Sequence, residues 1–300
     1  MFWALACCAA LAGDVELLRA ASLASSTIEK AEQAEQRFRN LCADVQPHLS
    51  SKVPSERVLV LFEFMHRRVL TGEYQVDCND ITRTLDEGHY NCLTATIVLR
   101  CFCRHFDVPT TVVETPDHVC CRLGAMEIET TCAQWFSTGK PPGLSLTATP
   151  ISDVQLVARV YYNMGLNLAK RNQFSAATSM LRRSHELDPY HQPTEDGLAS
   201  ALNNWSLILA DDGQFADSIT VLERAKPWST DQHTLLTNRV HIHSSWVKQL
   251  CREGEYGRAA QLLQNCVQRY PHVDFYKQSH LILLRAIRDR ATVAAIRVEK

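Results

Sequence analysis

The chain has 300 residues, 21% of them charged and 46% hydrophobic, with a formal net charge of -2. That length suggests two domains rather than one, the composition excludes a disordered chain, and the charge gives no reason to expect nucleic acid as a partner. No apolar run reaches the roughly 20 residues that a membrane-spanning helix needs.

Residues 1–26 read as a leader or an N-terminal helix. Phe2 to Leu11 is apolar, and Ala10-Leu11-Ala12 has the small-residue form of a signal-peptidase site, yet no Lys or Arg precedes it. A signal peptide, a buried first helix and a lipoprotein leader at Cys7 stay open, and so does the choice between a cytoplasmic and an exported protein. Ser25-Ser26-Thr27 then caps an amphipathic helix from Ile28. Pro54 suits the first turn of another, with Val58, Leu61, Phe62, Met65 and Val69 on a broad apolar face. Tyr74 to Glu87 is polar and irregular, the composition of a site rim.

Gly88-His89-Tyr90-Asn91-Cys92 runs straight into an apolar segment that ends near His105. Cys92 is thereby placed in the first turn of a buried helix, where unpaired N–H groups and the helix dipole favour the thiolate. A lone cysteine is more often core filler, and most of the 12 cysteines read that way: they form no CxxC pair, and a chain of this size needs no disulfides. Three β-rich runs follow, Thr110 to Glu114, His118 to Leu123 and Met126 to Thr131, the last two joined by a turn at Gly124. His118 opens the second strand, and Glu129 is expected near the middle of the third, facing His118 across the pair. That arrangement supports a Cys92–His118–Glu129 relay, in which the thiol attacks a carbonyl, the imidazole carries the proton and the carboxylate orients the ring. The Cys92 N–H supplies one oxyanion donor; no second donor is marked. Zinc is the rival chemistry, through Cys101 and His105 four apart and His118 and Cys120 on one strand face, but no closely spaced ligand pair backs it. No cofactor is expected.

Gly88-x-x-Asn91-Cys92, Asp117-His118 and Ile128-Glu129-Thr130-Thr131 together resemble the motifs of the transglutaminase-like superfamily over roughly residues 55–136, and most closely its bacterial members fused to tetratricopeptide repeats. The resemblance implies an α+β, papain-like core, with a nucleophile-bearing helix packed on an antiparallel sheet. It also implies acyl transfer on amides, by hydrolysis or transamidation. Glutamate stands where that family carries aspartate, and the spacings are short. A domain that keeps the fold without turnover, serving as an interaction scaffold, is the alternative.

Ser137 to Pro150, rich in Gly and Pro, reads as a linker. Beyond it the pattern is helical with a repeat. Phe174, Phe215 and Tyr256 stand 41 residues apart, against about 34 for a tetratricopeptide unit. Short insertions are therefore expected at His191 to Gly197 and Lys226 to His233. The expected division is 27–136 for the transglutaminase-like domain, 137–151 for the linker, 152–272 for an all-α solenoid of three repeats, and 273–300 for a capping helix. In the usual register Arg159, Tyr162, Lys170, Asn203, His241, Lys248 and Arg252 line the concave face. That surface is mildly basic and suits an acidic protein or peptide segment.

Overall fold

Apolar residues recur at the helical period along most of the chain, and helix follows from it. The structure is a computed structural model and describes residues 14–49, 53–137 and 148–298. The expected leader up to Gly13, with Cys7 and Cys8, and most of the expected linker lie outside those residues. The chain forms two compact units, residues 1–197 and 198–300, and the division falls inside one long helix.

The first unit opens with helices α1 (Asp14–Ser25), α2 (Ile28–Val45) and α3 (Pro54–Arg68). The Thr27 side chain accepts from the Lys30 N–H at the start of α2, and Pro54 occupies the first position of α3. A short helix, α4 (Ile81–Glu87), is capped by Asp80 and ends at Gly88 with φ 78°. Part of the stretch expected to be irregular is therefore helical. Next comes α5 (Cys92–His105), central to the unit, with Ile97, Val98, Leu99, Cys101 and Phe102 fully buried.

Four strands follow: β1 (Thr110–Thr115), β2 (His118–Leu123), β3 (Met126–Ile128) and β4 (Thr149–Ile151). They pair antiparallel in the order β3-β2-β1-β4. Val119, Cys121 and Ile128 are buried on the face toward α5, where the Thr96 hydroxyl donates to the Val119 carbonyl at 3.1 Å. Helix α6 (Asp153–Lys170), started by a Ser152/Gln155 capping box, adds Leu156, Val157 and Val160 to the same core as Leu17, Phe38, Phe62 and Phe102. Helix α7 (Phe174–Leu187) packs against it so closely that a Cβ at Gly165 would sit 2.6 Å from Leu181 Cγ.

Helix α8 (Gln192–Asp211) carries the division between the units. The second unit continues with α9 (Phe215–Ala225), α10 (Gln232–Arg252), α11 (Tyr256–Arg269) and α12 (Asp274–Val298). Phe174, Phe215 and Tyr256 each open the second helix of a pair, and the small residues Ala177, Ser218 and Ala259 are fully buried. The Ser218 hydroxyl donates to the Ser206 carbonyl at 2.6 Å, a contact that a larger residue would block. Within the two 41-residue intervals the first helices α8 and α10 run 20 and 21 residues, and residues 226–231 link α9 to α10.

The expected fold class needs correction. The molecule is 71% helical, its sheet is a small antiparallel one of four strands, and a transglutaminase-like core followed by a separate all-α array is not shown. The physical reason is the shortness of the strands. Two have six residues and two have three, and Glu129, placed by the sequence in mid-strand, lies beyond the end of β3. No helix among the described residues is long and apolar enough to cross a membrane.

Candidate active site

The nucleophile candidate is held by the start of its helix. The Asn91 side chain accepts from the Thr94 N–H at 2.9 Å, while the Asn91 N–H donates to the Thr94 hydroxyl at 3.1 Å, a reciprocal capping box. Ala95 N–H goes to the Asn91 carbonyl. The N–H groups of Cys92 and Leu93 are left without an intrahelical acceptor, at the positive end of the dipole. Asn91 is buried and also donates to the Asn79 side chain at 2.8 Å; Asn79 takes a second bond from Asn163 of α6 at 3.2 Å. Three amides thus tie the start of α5 to α6. Cys92 is half-buried, unlike Cys101, Cys103, Cys120 and Cys121, which are buried. Burial pushes the Cys103 and Cys120 thiols up to about 12 and Cys121 well above its ordinary value, so these stay protonated.

His118 opens β2 opposite Thr115. Its ring is in hydrogen-bond contact with Cys92, and its Nε2 lies 2.6 Å from Glu129 Oε2. The carboxylate oxygen is off the N–H axis, so this contact is an ion pair more than an aligned hydrogen bond. Because Cys121 pairs with Ile128, Glu129 falls beside Cys120 and reaches His118 diagonally. A diagonal neighbour is about 7–8 Å away at the backbone, and the longer glutamate chain spans it. The other oxygen of Glu129, Oε1, accepts from the Thr131 N–H at 3.0 Å and from its hydroxyl at 2.6 Å.

The electrostatics follow from these contacts. Cys92 first, then Glu129, raise His118 to about 10 against the opposing effect of burial. Burial pushes Glu129 up, but the bonds from His118 and Thr131 outweigh it and hold the carboxylate down to about 2. The pair is therefore imidazolium and carboxylate across the neutral range.

A cleft of about 160 Å³ opens over Cys92 and His118, walled by Glu114, Asp117 and, from α6, Arg159, Tyr162 and Asn163. A second cavity of about 260 Å³ lies on the other side of His118, against Glu129, Cys120 and Trp135. Of the residues expected on a peptide-binding face, Arg159 and Tyr162 thus line the same cleft as the nucleophile. Arg159 is buried and fully engaged: its Nε and one terminal nitrogen hold both Glu114 oxygens at 2.6 and 2.8 Å, and the other holds Asp188 at 2.8 Å. Its charge serves the fold rather than a ligand. Lys170 is exposed at the end of α6. In the second unit Asn203 is half-buried and accepts from Asn238 at 2.7 Å, while His241, Lys248 and Arg252 are exposed along α10.

Tyr74 opens the stretch whose composition suggests a site rim, though nothing in the sequence singles it out within that stretch. It is bridged to Tyr90, two residues before Cys92, and after burial the charge of Cys92 is the largest influence that raises its phenol. Among the described residues no group of three or more His, Cys, Asp or Glu is placed to hold a metal ion. No family model matches the sequence, and no curated protein matches it.

Proposed function

We propose that this chain catalyses cysteine-dependent acyl transfer on amide bonds. The observation that carries the reading is the convergence of a helix-opening thiol, an imidazole and a carboxylate, with His118 set between Cys92 in the cleft and Glu129 in the neighbouring cavity. The Cys92 sulfur adds to the acyl carbon, and the C=O electron pair moves to oxygen. That oxygen meets the unpaired N–H groups at the start of α5. As the C–N bond breaks, His118 passes its proton to the leaving nitrogen, and Glu129 keeps the ring oriented. Water or an amine then attacks the thioester carbon, His118 takes a proton from it, and the C–S bond breaks to return the Cys92 thiolate. The test is labelling of the intact protein with a thiol-directed electrophile, a peptide acyloxymethyl ketone, beside amide turnover. Wild type reacts at Cys92, and Cys92→Ala loses both signals. Iodoacetamide modification of Cys92 no faster than that of Cys251 would instead favour an interaction scaffold.

The helical pairs are proposed to hold a protein or peptide partner with an acidic segment. His241, Lys248 and Arg252 support this, being exposed and spaced so that they share one face of α10. Reversing Lys248 and Arg252 to Glu should weaken capture of an acidic peptide about 10-fold or more at low salt, read by fluorescence anisotropy; unchanged binding removes the proposal.

A further inference from the structure

Tyr74 is brought beside Cys92 by backbone pairing with the residues that lead into the nucleophile's helix. Gln75 N–H donates to the Tyr90 carbonyl at 2.8 Å, and Tyr90 N–H to the Glu73 carbonyl at 3.3 Å, which makes a short parallel bridge between Tyr74 and Tyr90. Tyr90 is two residues before Cys92, so the bridge sets the phenol and the thiol in one frame. The two segments approach only because glycines meet there. Gly72 N–H donates to the Gly88 carbonyl at 3.0 Å, and a Cβ on Gly72 would fall 2.9 Å from the Gly88 carbonyl carbon. The Tyr74 ring stands edge-on to Tyr90, centroids 5.9 Å apart, and is 49% exposed. It is thus braced on one side and open to the solvent from which a substrate arrives.

We propose that Tyr74 is a catalytic residue whose hydroxyl donates to the Cys92 sulfur in the free enzyme and to the oxyanion of the acyl adduct. This rests on the reading of Cys92 as an acyl-transfer nucleophile. Burial first, then the negative charge of Cys92 and Glu129, raise Tyr74 above its ordinary value, so the phenol keeps its proton and acts as a donor rather than a base. In the acylation step the S–C bond forms and the carbonyl π pair localises on oxygen. The sulfur loses its negative charge, and the phenol O–H, keeping its proton, turns from sulfur to the adjacent oxygen. Collapse re-forms C=O and expels the nitrogen with the proton from His118. Tyr74 adds a side-chain donor to the N–H groups at the start of α5.

Two reactions of the full chain separate the roles. Iodoacetamide alkylates the sulfur without forming an oxyanion, whereas p-nitrophenyl acetate acylates it through one. Tyr74→Phe keeps the ring on Tyr90 and removes only the hydroxyl. The expected result is alkylation of Cys92 slowed several-fold near neutral pH, with acylation slowed a further ~100-fold, the cost of one oxyanion donor. Unchanged rates in both reactions overturn the proposal and leave the nucleophile reading intact. Equal slowing of both overturns the oxyanion role. A wild-type protein whose Cys92 alkylates but never acylates sinks the acyl-transfer reading itself, and the effect of Tyr74→Phe on alkylation then decides alone whether the phenol engages the sulfur.

Discussion

His118 keeps its proton because two acceptors reach for it from opposite sides. Removing either should release it. NMR titration of the His118 ring should show its midpoint fall from about 10 in Cys92→Ala, and fall less in Glu129→Gln, since the sulfur contact is the larger cause. The same contacts make stability depend on pH. A raised imidazole stabilises fully below its unfolded value near 6.5 and loses that contribution as pH climbs through about 10. A depressed carboxylate stabilises fully above its unfolded value near 4.5 and loses that contribution as pH falls toward 2. The pair thus contributes most between those unfolded values, and thermal melts of Glu129→Gln should differ most from wild type there. Cys92 and His118 were legible in the sequence because each opens an element, where capping and turn residues leave a local signature. Glu129 was legible as a residue but not in its placement, since β3 ends one position before it and the pairing is diagonal. Tyr74 was legible only as the first residue of a stretch with the composition of a site rim, because a short parallel bridge has no sequence pattern.

Helices are the elements the sequence marks best, and α5 spans the residues its apolar run indicates. The repeat spacing was legible too, and of the two expected insertions residues 226–231 do lie between α9 and α10. Gln192 to Gly197, within the other expected insertion, continues a helical pattern smoothly and winds the start of α8. Small residues at helix crossings carry a measurable consequence in α6 and α7. A methyl added at Gly165 would meet Leu181 Cγ at 2.6 Å and the Ala177 carbonyl oxygen at 3.2 Å. Such overpacking costs about 1–3 kcal/mol, more than the ~1 kcal/mol that alanine gains over glycine in a helix. Gly165→Ala should therefore lower the urea midpoint. Combined with Leu181→Ala, which alone removes a buried side chain, it should cost less than the two changes summed, because the second empties the space that the first needs. Strict additivity in the double variant would show that the two helices do not meet there.

At the scale of the molecule, motif order suggested a sheet-based domain, but burial follows the helices. Three apolar residues of α6 enter the core built by α1 to α5, and Asp153 at the start of α6 pairs with Arg100 at 2.9 Å, so the sheet has helices of two different stretches as its neighbours. A local pattern could not foretell this, because the partner of an apolar face is chosen by the whole chain and not by the face. The placement of sulfur follows from the same packing. Seven of the ten cysteines in the described residues are buried, and only Cys92, Cys132 and Cys251 are half-buried. Toward an electrophile in water the described part of this sulfur-rich protein therefore behaves like one with very few thiols. Oxidants and alkylating drugs meet those three thiols before the seven buried ones, so chemical damage falls on a small and predictable set of positions.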